Sequence, residues 1–204
     1  MKNTKERFLY EAVRLFGEHG YDSVSMKDLA DAVGLVPSAL YKHFPSKKAL
    51  YDEIITLNKT GYANSMQRLR VDFAERPDEK EKLVQMTEEE QITIAQELFK
   101  NAIHNKWAVA FRKFMTVEQY HNRELAELYD KTYYKDQVKQ HGAFFRILMD
   151  AGKMKEGNEY LLALIYISQI NLLINMCDRE PDKEEWAMEE IRRIICEFNR
   201  IYRI

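Results

Sequence analysis

The sequence predicts an all-α protein, and three observations carry that prediction. Apolar residues recur with a period near 3.6 along almost the whole chain, whereas strands would need a period of two. The 204 residues include only 7 glycines and 4 prolines, too few for a loop-rich all-β fold. A composition of 46% hydrophobic and 31% charged residues is that of an ordinary globular chain leaning towards helix. This length accommodates one large domain or two modest ones.

The first helix is expected from Lys5 to His19, with Phe8, Ala12, Leu15 and Phe16 on its buried face and Gly20 as its stop. Met26, Leu29, Ala30 and Val33 then form a second short stripe. Ser25 and Asp28 before and within it make a capping pattern, and Gly34 ends it. Pro37 pre-sets a third helix running through Leu40 and Tyr41 to about Phe44. Pro45-Ser46 closes that helix, and Ser46 is placed to cap the next one from Lys47. Helix, glycine turn and helix is the arrangement that sets a second helix into the major groove of DNA.

These residues carry a resemblance. Ser25, Leu29-Ala30, Val33-Gly34-Leu35, the run Leu40-Tyr41-Lys42-His43-Phe44, Lys47 and Leu50 are similar to the N-terminal signature of the TetR family of transcriptional regulators. The match covers about the first quarter of the chain; the remainder agrees in length and helical reading. The resemblance implies a helix-turn-helix DNA-binding domain over residues 1–50 and a larger helical domain over residues 51–204 for effector binding and dimerisation. It implies phosphate contacts from Tyr41, His43 and Lys47, and from Ser25 at the start of the preceding helix. A cation, neutral donors and a helix N-terminus suit phosphate oxygens, and Lys27 and Lys48 add charge nearby. Base reading falls to the exposed positions Pro37, Ser38, Ala39 and Lys42, where lysine can donate to guanine and the apolar groups can meet a thymine methyl. The chain departs from the family pattern at two places. Val36 stands where a serine cap is common, and Ser38 where a glycine is common, so Ser38 is expected to cap the helix one or two residues late.

Beyond the head, a helix from Lys47 carries Leu50, Ile54, Ile55 and Leu57; it continues towards Phe73 unless Gly61 breaks it, with a turn at Arg76-Pro77-Asp78. The charged runs Asp78–Lys82 and Glu88–Glu90 read as solvated helix ends. Three amphipathic stretches follow: Ile92 to Ile103, Trp107 to Met115, and a long one from Leu125 to Ala151. The segment Tyr160–Cys177 is apolar nearly all round, yet Ser168, Gln169, Asn171 and Asn175 interrupt it, so it is expected to be a helix buried on every side rather than a membrane span. After Pro181, Ile191, Ile194, Ile195, Phe198 and Tyr202 share one stripe of a last helix. The family resemblance makes the last two helices the homodimer contact.

A small-molecule effector of hydrophobic character is also implied. The mid-chain aromatics offer candidate walls, among them Phe99, Trp107, Phe111, Phe114 and Tyr166, although aromatics at helical spacing are most often plain core. Glu118 continues the Trp107–Met115 stripe; facing inward it would meet a cationic ligand or pair with an internal Arg or His, and if the helix ends before it, it stands in water.

Other classes find little support. His104, His121 and His141 share no metal spacing, and Cys177 and Cys196 match neither a zinc pattern nor a disulfide framework, so no metal or cofactor is expected. No nucleophile triad, phosphate loop or dinucleotide fingerprint is present, which argues against an enzyme. A dimeric ligand-binding or protein-interaction module with a degenerate head is the remaining alternative. The N-terminus lacks the apolar run of a signal peptide, and a cytoplasmic protein is expected. The net charge is −2, but residues 1–50 hold eight Lys/Arg against six Asp/Glu, about +2, which leaves about −4 for the rest. A basic head on an acidic body permits DNA binding without dictating it.

Overall fold

The computed structural model describes residues 3–69 and 77–204, with side chains given outside 61–69 and 77–79. All described elements are helical, in two compact units. One holds Met1–Leu69 with Lys106–Tyr129, the other Arg70–Asn105 with Asp130–Ile204. Phe73 and Arg76 lie outside the described residues.

In the first unit, α1 (Thr4–His19) starts at Asn3, whose side chain accepts from the Lys5 N–H, and ends at Gly20 with φ +80°. α2 (Met26–Val33) has the full capping box. The Ser25 side chain takes the Asp28 N–H, Asp28 reaches back to the Ser25 N–H, and Gly34 enters the left-handed region at φ +72°. α3 (Pro37–Tyr41) begins at Pro37 with Val36 in the cap position and no side-chain cap bond. The expected late cap by Ser38 is therefore corrected. Proline has no N–H to satisfy at the first position and its φ is already helical, so the helix starts on time without a cap. α4 (Lys47–Leu69) is capped by Ser46, which accepts the Ala49 N–H at 3.1 Å, and it runs on through Gly61 without a break. Phe8, Phe16, Leu29, Leu40, Phe44, Leu50 and Ile54 are fully enclosed and make the core of the head.

The other part of this unit is α7 (Lys106–Glu118) and α8 (Arg123–Asp130). Phe114, fully buried, has its ring 6.0 Å from Phe16 and 5.7 Å from Tyr51. Gly17 makes this approach possible: a Cβ there would stand 2.9 Å from the Phe114 backbone nitrogen. Gly17→Ala should therefore destabilise the chain by about 1–3 kcal/mol through overpacking, outweighing the roughly 1 kcal/mol that alanine gains in helix propensity. Chemical denaturation of the variant checks this; an increase in stability would show that α7 can give way.

In the second unit, α5 (Pro77–Gln85) precedes α6 (Glu88–His104), which opens on a Thr87/Glu90 capping box. Of the Glu88–Glu90 run in this first turn, Glu89 and Glu90 are exposed, as expected, Glu89 pairing with Arg192 and Glu90 capping, whereas Glu88 is half-buried and accepts from Asn199 Nδ2 at 3.1 Å. A π-turn, Lys131–Lys135, leads into α9 (Asp136–Asp150). The sequence predicts one uninterrupted amphipathic stretch here. A π-turn frees backbone carbonyls, and buried Asn171 answers it, donating to Tyr133 O at 2.9 Å and to Gln137 Oε1 at 3.2 Å. Asn171 sits on α10 (Glu159–Arg179), and α11 (Glu184–Tyr202) follows a short 3₁₀ turn.

Two apolar groups fill this unit. One joins Phe145, Leu148, Met149, Leu162, Ile167 and Phe198; the other joins Ile92, Phe99, Leu173, Ala187, Ile191 and Ile195. Tyr166 and Ile170 pack against both. The C-terminus is tied down by a bridge between Met154 and Arg203 and by Lys155 N–H donating to Tyr202 O at 2.8 Å. The expectation that the apolar segment is buried on every side is overturned. Leu161, Leu164, Ile165 and Leu172 of α10 are exposed, because the neighbouring helices cover only the face bearing Leu162, Ala163, Ile167 and Leu173. α10 has the length and apolarity of a membrane span, but a third of its apolar window is buried within this fold.

Candidate nucleic-acid interface

The short helix α3 is held from behind. Leu40 is fully buried and Phe44 nearly so, and Phe44 N–H and His43 N–H both donate to Leu40 O at 2.9 Å, which tightens the chain at the helix end. With Leu40 and Phe44 facing inward, Ser38, Tyr41, Lys42 and His43 are exposed, and Pro37 and Ala39 are half-buried. Tyr41 is 52% exposed, so its ring is not part of the core. Of the residues that the sequence put forward for DNA contact, Ser25, Lys27, Ser38, Tyr41, Lys42 and His43 are thus exposed, and Pro37, Ala39 and Lys47 are half-buried.

Their individual settings differ. Lys42 and Lys27 are exposed and have no ion-pair partner among the described residues, so their charges face solvent. Lys48 is also exposed but is held by Asp52 at 2.8 Å. The His43 ring lies 6.1 Å from that of Phe8, which steadies it at the edge of the core. Ser25 is exposed, and its hydroxyl donates to Asp28 Oδ2 at 2.6 Å. The two bonds from Ser25 hold the Asp28 carboxyl below its ordinary pKa.

Lys47 departs from its expected part. Its ammonium is turned inwards, donating to Tyr21 O at 2.8 Å, Val24 O at 2.9 Å and more distantly Asp22 O at 3.4 Å. It also lies 4.2 Å from the centre of the Tyr21 ring. The carbonyls at the end of the α1–α2 turn point one way and offer a cation three acceptors and an aromatic face. Lys47 is thus a clamp on that turn. Nothing in the residue pattern distinguishes a lysine that caps carbonyls from one that waits for phosphate.

The residues suggested for an effector are divided between the units. Trp107, Phe111, Phe114 and Glu118 belong to the first, and Phe99 and Tyr166 to the second. Trp107 Nε1 donates to Asn58 Oδ1 at 3.0 Å, and the Phe111 and Phe114 rings are 5.8 Å apart. Of the alternatives for Glu118 the structure shows the buried one, and the partner is a backbone amide: its Oε1 accepts the Tyr21 N–H at 2.8 Å. Phe99 is core. Tyr166 stands among His141, Phe145 and Phe198, with ring separations of 5.4, 5.8 and 5.3 Å. Burial pushes its phenol up to about 12, and its hydroxyl has no hydrogen-bond partner among the described residues. His141, whose Nδ1 lies 2.9 Å from Gln137 O, is held below the ordinary histidine pKa by burial and is neutral at pH 7. Metal spacing alone does not single out His141, because the Tyr166 ring beside it comes from another helix. Among the described residues no cluster of His, Cys, Asp or Glu is arranged to hold a metal.

Comparison with known proteins agrees with this geometry. Residues 8–54 match the profile of the bacterial regulatory proteins of the tetR family. The biofilm operon negative transcriptional regulator IcaR of Staphylococcus aureus is 37% identical over 51 residues, 25% of this chain and 27% of IcaR. The transcriptional repressor KstR2 of Rhodococcus jostii is 43% identical over 44 residues, 22% of each chain. The matches thus span about a quarter of the curated relatives' length. Over the whole chain the fold is similar to that of SmeT, the repressor of the Stenotrophomonas maltophilia multidrug efflux pump SmeDEF. The TM-score is 0.62 at 16% identity, covering 100% of this chain and 92% of that one. SmeT has also been solved in complex with triclosan.

Proposed function

We propose that this chain is a TetR-family transcriptional regulator, a DNA-binding protein and not an enzyme, and that it acts as a ligand-responsive repressor binding a near-palindromic operator as a homodimer. The observation that carries the DNA reading is the exposed face of Ser38, Tyr41, Lys42 and His43 on a helix locked by Leu40 and Phe44. In this reading residues 1–50 are the DNA-binding head and 51–204 the effector-binding and dimerising part. Tyr41, His43, Ser25 and Lys27 touch phosphates, while Lys42, with Pro37, Ser38 and Ala39, meets base edges.

The homodimer forms through α10 and α11. The exposed Leu161, Leu164, Ile165 and Leu172 repeat at helical spacing and make an apolar stripe on α10. The outer side of α11 carries Glu189, Arg193, Glu197 and Arg200, whose ion pairs within the helix leave a polar rim. A dimer joined along such a stripe presents two heads to successive major grooves. The effector is a small hydrophobic molecule taken up in the second unit, where the aromatic group around Tyr166 leaves one buried hydroxyl without a hydrogen-bond partner among the described residues. The protein acts in the cytoplasm, on double-stranded DNA, without a membrane partner.

Binding of operator duplexes by two variants tests the reading. Tyr41→Phe should weaken all duplexes alike, by the roughly 0.5–1.5 kcal/mol of one hydrogen bond. Lys42→Ala should cost about 1–3 kcal/mol at one base pair and relax the preference there. Affinity unchanged in both would mean that α3 is not the reading helix.

A further inference from the structure

Among the described residues, Glu118 is the one buried carboxylate. A carboxylate is left in such a place only where something holds it, and here that is a backbone amide of the head. Gly20, at φ +80°, turns the chain out of α1 so that the next N–H, that of Tyr21, points at Glu118 Oε1 over 2.8 Å. The carbonyl of the same residue is gripped by Lys47 from the start of α4. Tyr21 is therefore held at both its N–H and its C=O.

The grip closes into a ring of contacts. The Tyr21 side chain lies edge-on to Tyr51 of α4 at 4.8 Å, and Tyr51 Oη accepts from Asn122 Nδ2 at 2.8 Å. Asn122 N–H donates to Glu118 O at 2.9 Å, and Asn122 Oδ1 accepts the Leu125 N–H at the start of α8. The end of α7, the start of α8, the start of α4 and the α1–α2 turn are thus linked through Tyr21, by the two peptide groups that flank it and by its ring. The same turn leads directly into Ser25 and α2, and Lys47 opens α4, separated from the end of α3 by residues 42–46.

From this ring we infer that Glu118 is a positioning residue for DNA binding: its carboxylate holds the Tyr21 peptide so that the turn, α2 and the reading helix α3 stand ready for the groove. The inference rests on the DNA-binding reading above. Glu118 acts as an acceptor for a backbone N–H, not as a counter-ion for a cationic ligand. A glutamine keeps the acceptor and loses the charge, an alanine loses both, and an aspartate keeps the charge but withdraws it by one methylene.

The test compares the full-length chain with Glu118→Gln and Glu118→Ala, at a temperature where both are folded, in operator binding and amide hydrogen exchange. Glu118→Ala should bind the operator roughly tenfold more weakly and exchange faster across residues 20–25, while Glu118→Gln stays within about twofold of the parent. A purely structural part would lower the unfolding temperature of Glu118→Ala but leave the affinity of the folded chain untouched, and that result overturns the inference. Equal weakening of both variants also overturns it, because charge would then be what matters. Should Glu118→Ala fail to fold, Glu118→Asp takes its place with the same expectation. If the parent chain binds no duplex, the DNA-binding reading fails. The exchange at residues 20–25 still decides whether Glu118 holds the turn.

Discussion

Phe114→Ala should lower stability by about 3–5 kcal/mol, the range for truncating a fully buried phenylalanine. The ring has Phe16 of α1, Tyr51 of α4 and Phe111 of its own helix within 6.0 Å, so its removal opens a cavity at a junction of three helices. These neighbours cannot close in easily. Gly17 already brings the two backbones as near as they can come, and Tyr51 is held by Asn122. For a chain of this length the loss corresponds to a fall in the unfolding midpoint of roughly 10 °C. Chemical and thermal unfolding both read it. A loss below about 1 kcal/mol would mean that the site collapses freely, and that α7 is not fixed to the head.

Lys47→Ala is the second large effect, and its character matters more than its size. If Lys47 is the clamp the structure shows, its loss leaves Tyr21 O and Val24 O without their cation and costs about 1.5–3 kcal/mol of stability, the range for a hydrogen bond to a charged group. The salt dependence of operator binding should not change, because no phosphate contact is lost. If Lys47 instead leaves the turn to neutralise a phosphate, the variant keeps its stability, and the slope of log affinity against log salt falls by about 0.9. Titrations at several salt concentrations, set beside unfolding curves, separate the two.

The head was legible because its signals are local. The Ser25/Asp28 capping box, Gly34 and Pro37 each fix a boundary through the backbone of their own few residues; the observed α2 begins and ends there and α3 begins there. The end of α3 differs: it falls at Tyr41, short of the position near Phe44 expected from Pro45. Leu40 and Phe44 in the core, with Tyr41 to His43 outside, follow from a short helix having only two sides. What escaped the sequence depends on partners distant along the chain. Lys47 as a clamp needs the carbonyls of residues 21–24, and Glu118 on Tyr21 N–H needs a residue 97 positions away. Gly17 gave no sign either, since its reason is the Phe114 backbone. The π-turn at Lys131–Lys135 leaves the 3.6 period almost undisturbed, and its support, Asn171, read only as an interruption of an apolar run. The exposed face of α10 was missed for a related reason. Periodicity reports that a helix is apolar all round, but not whether its own chain covers it.

Selection of tight binders from a randomised duplex library, at near-physiological salt, tests the central claim most directly. Two heads reading successive major grooves should recover an inverted repeat with half-sites about one helical turn apart. Lys42→Ala should recover the same repeat with a relaxed position in each half. Enrichment of no sequence, or of a single unrepeated site, would contradict the account of a homodimer that reads DNA through α3.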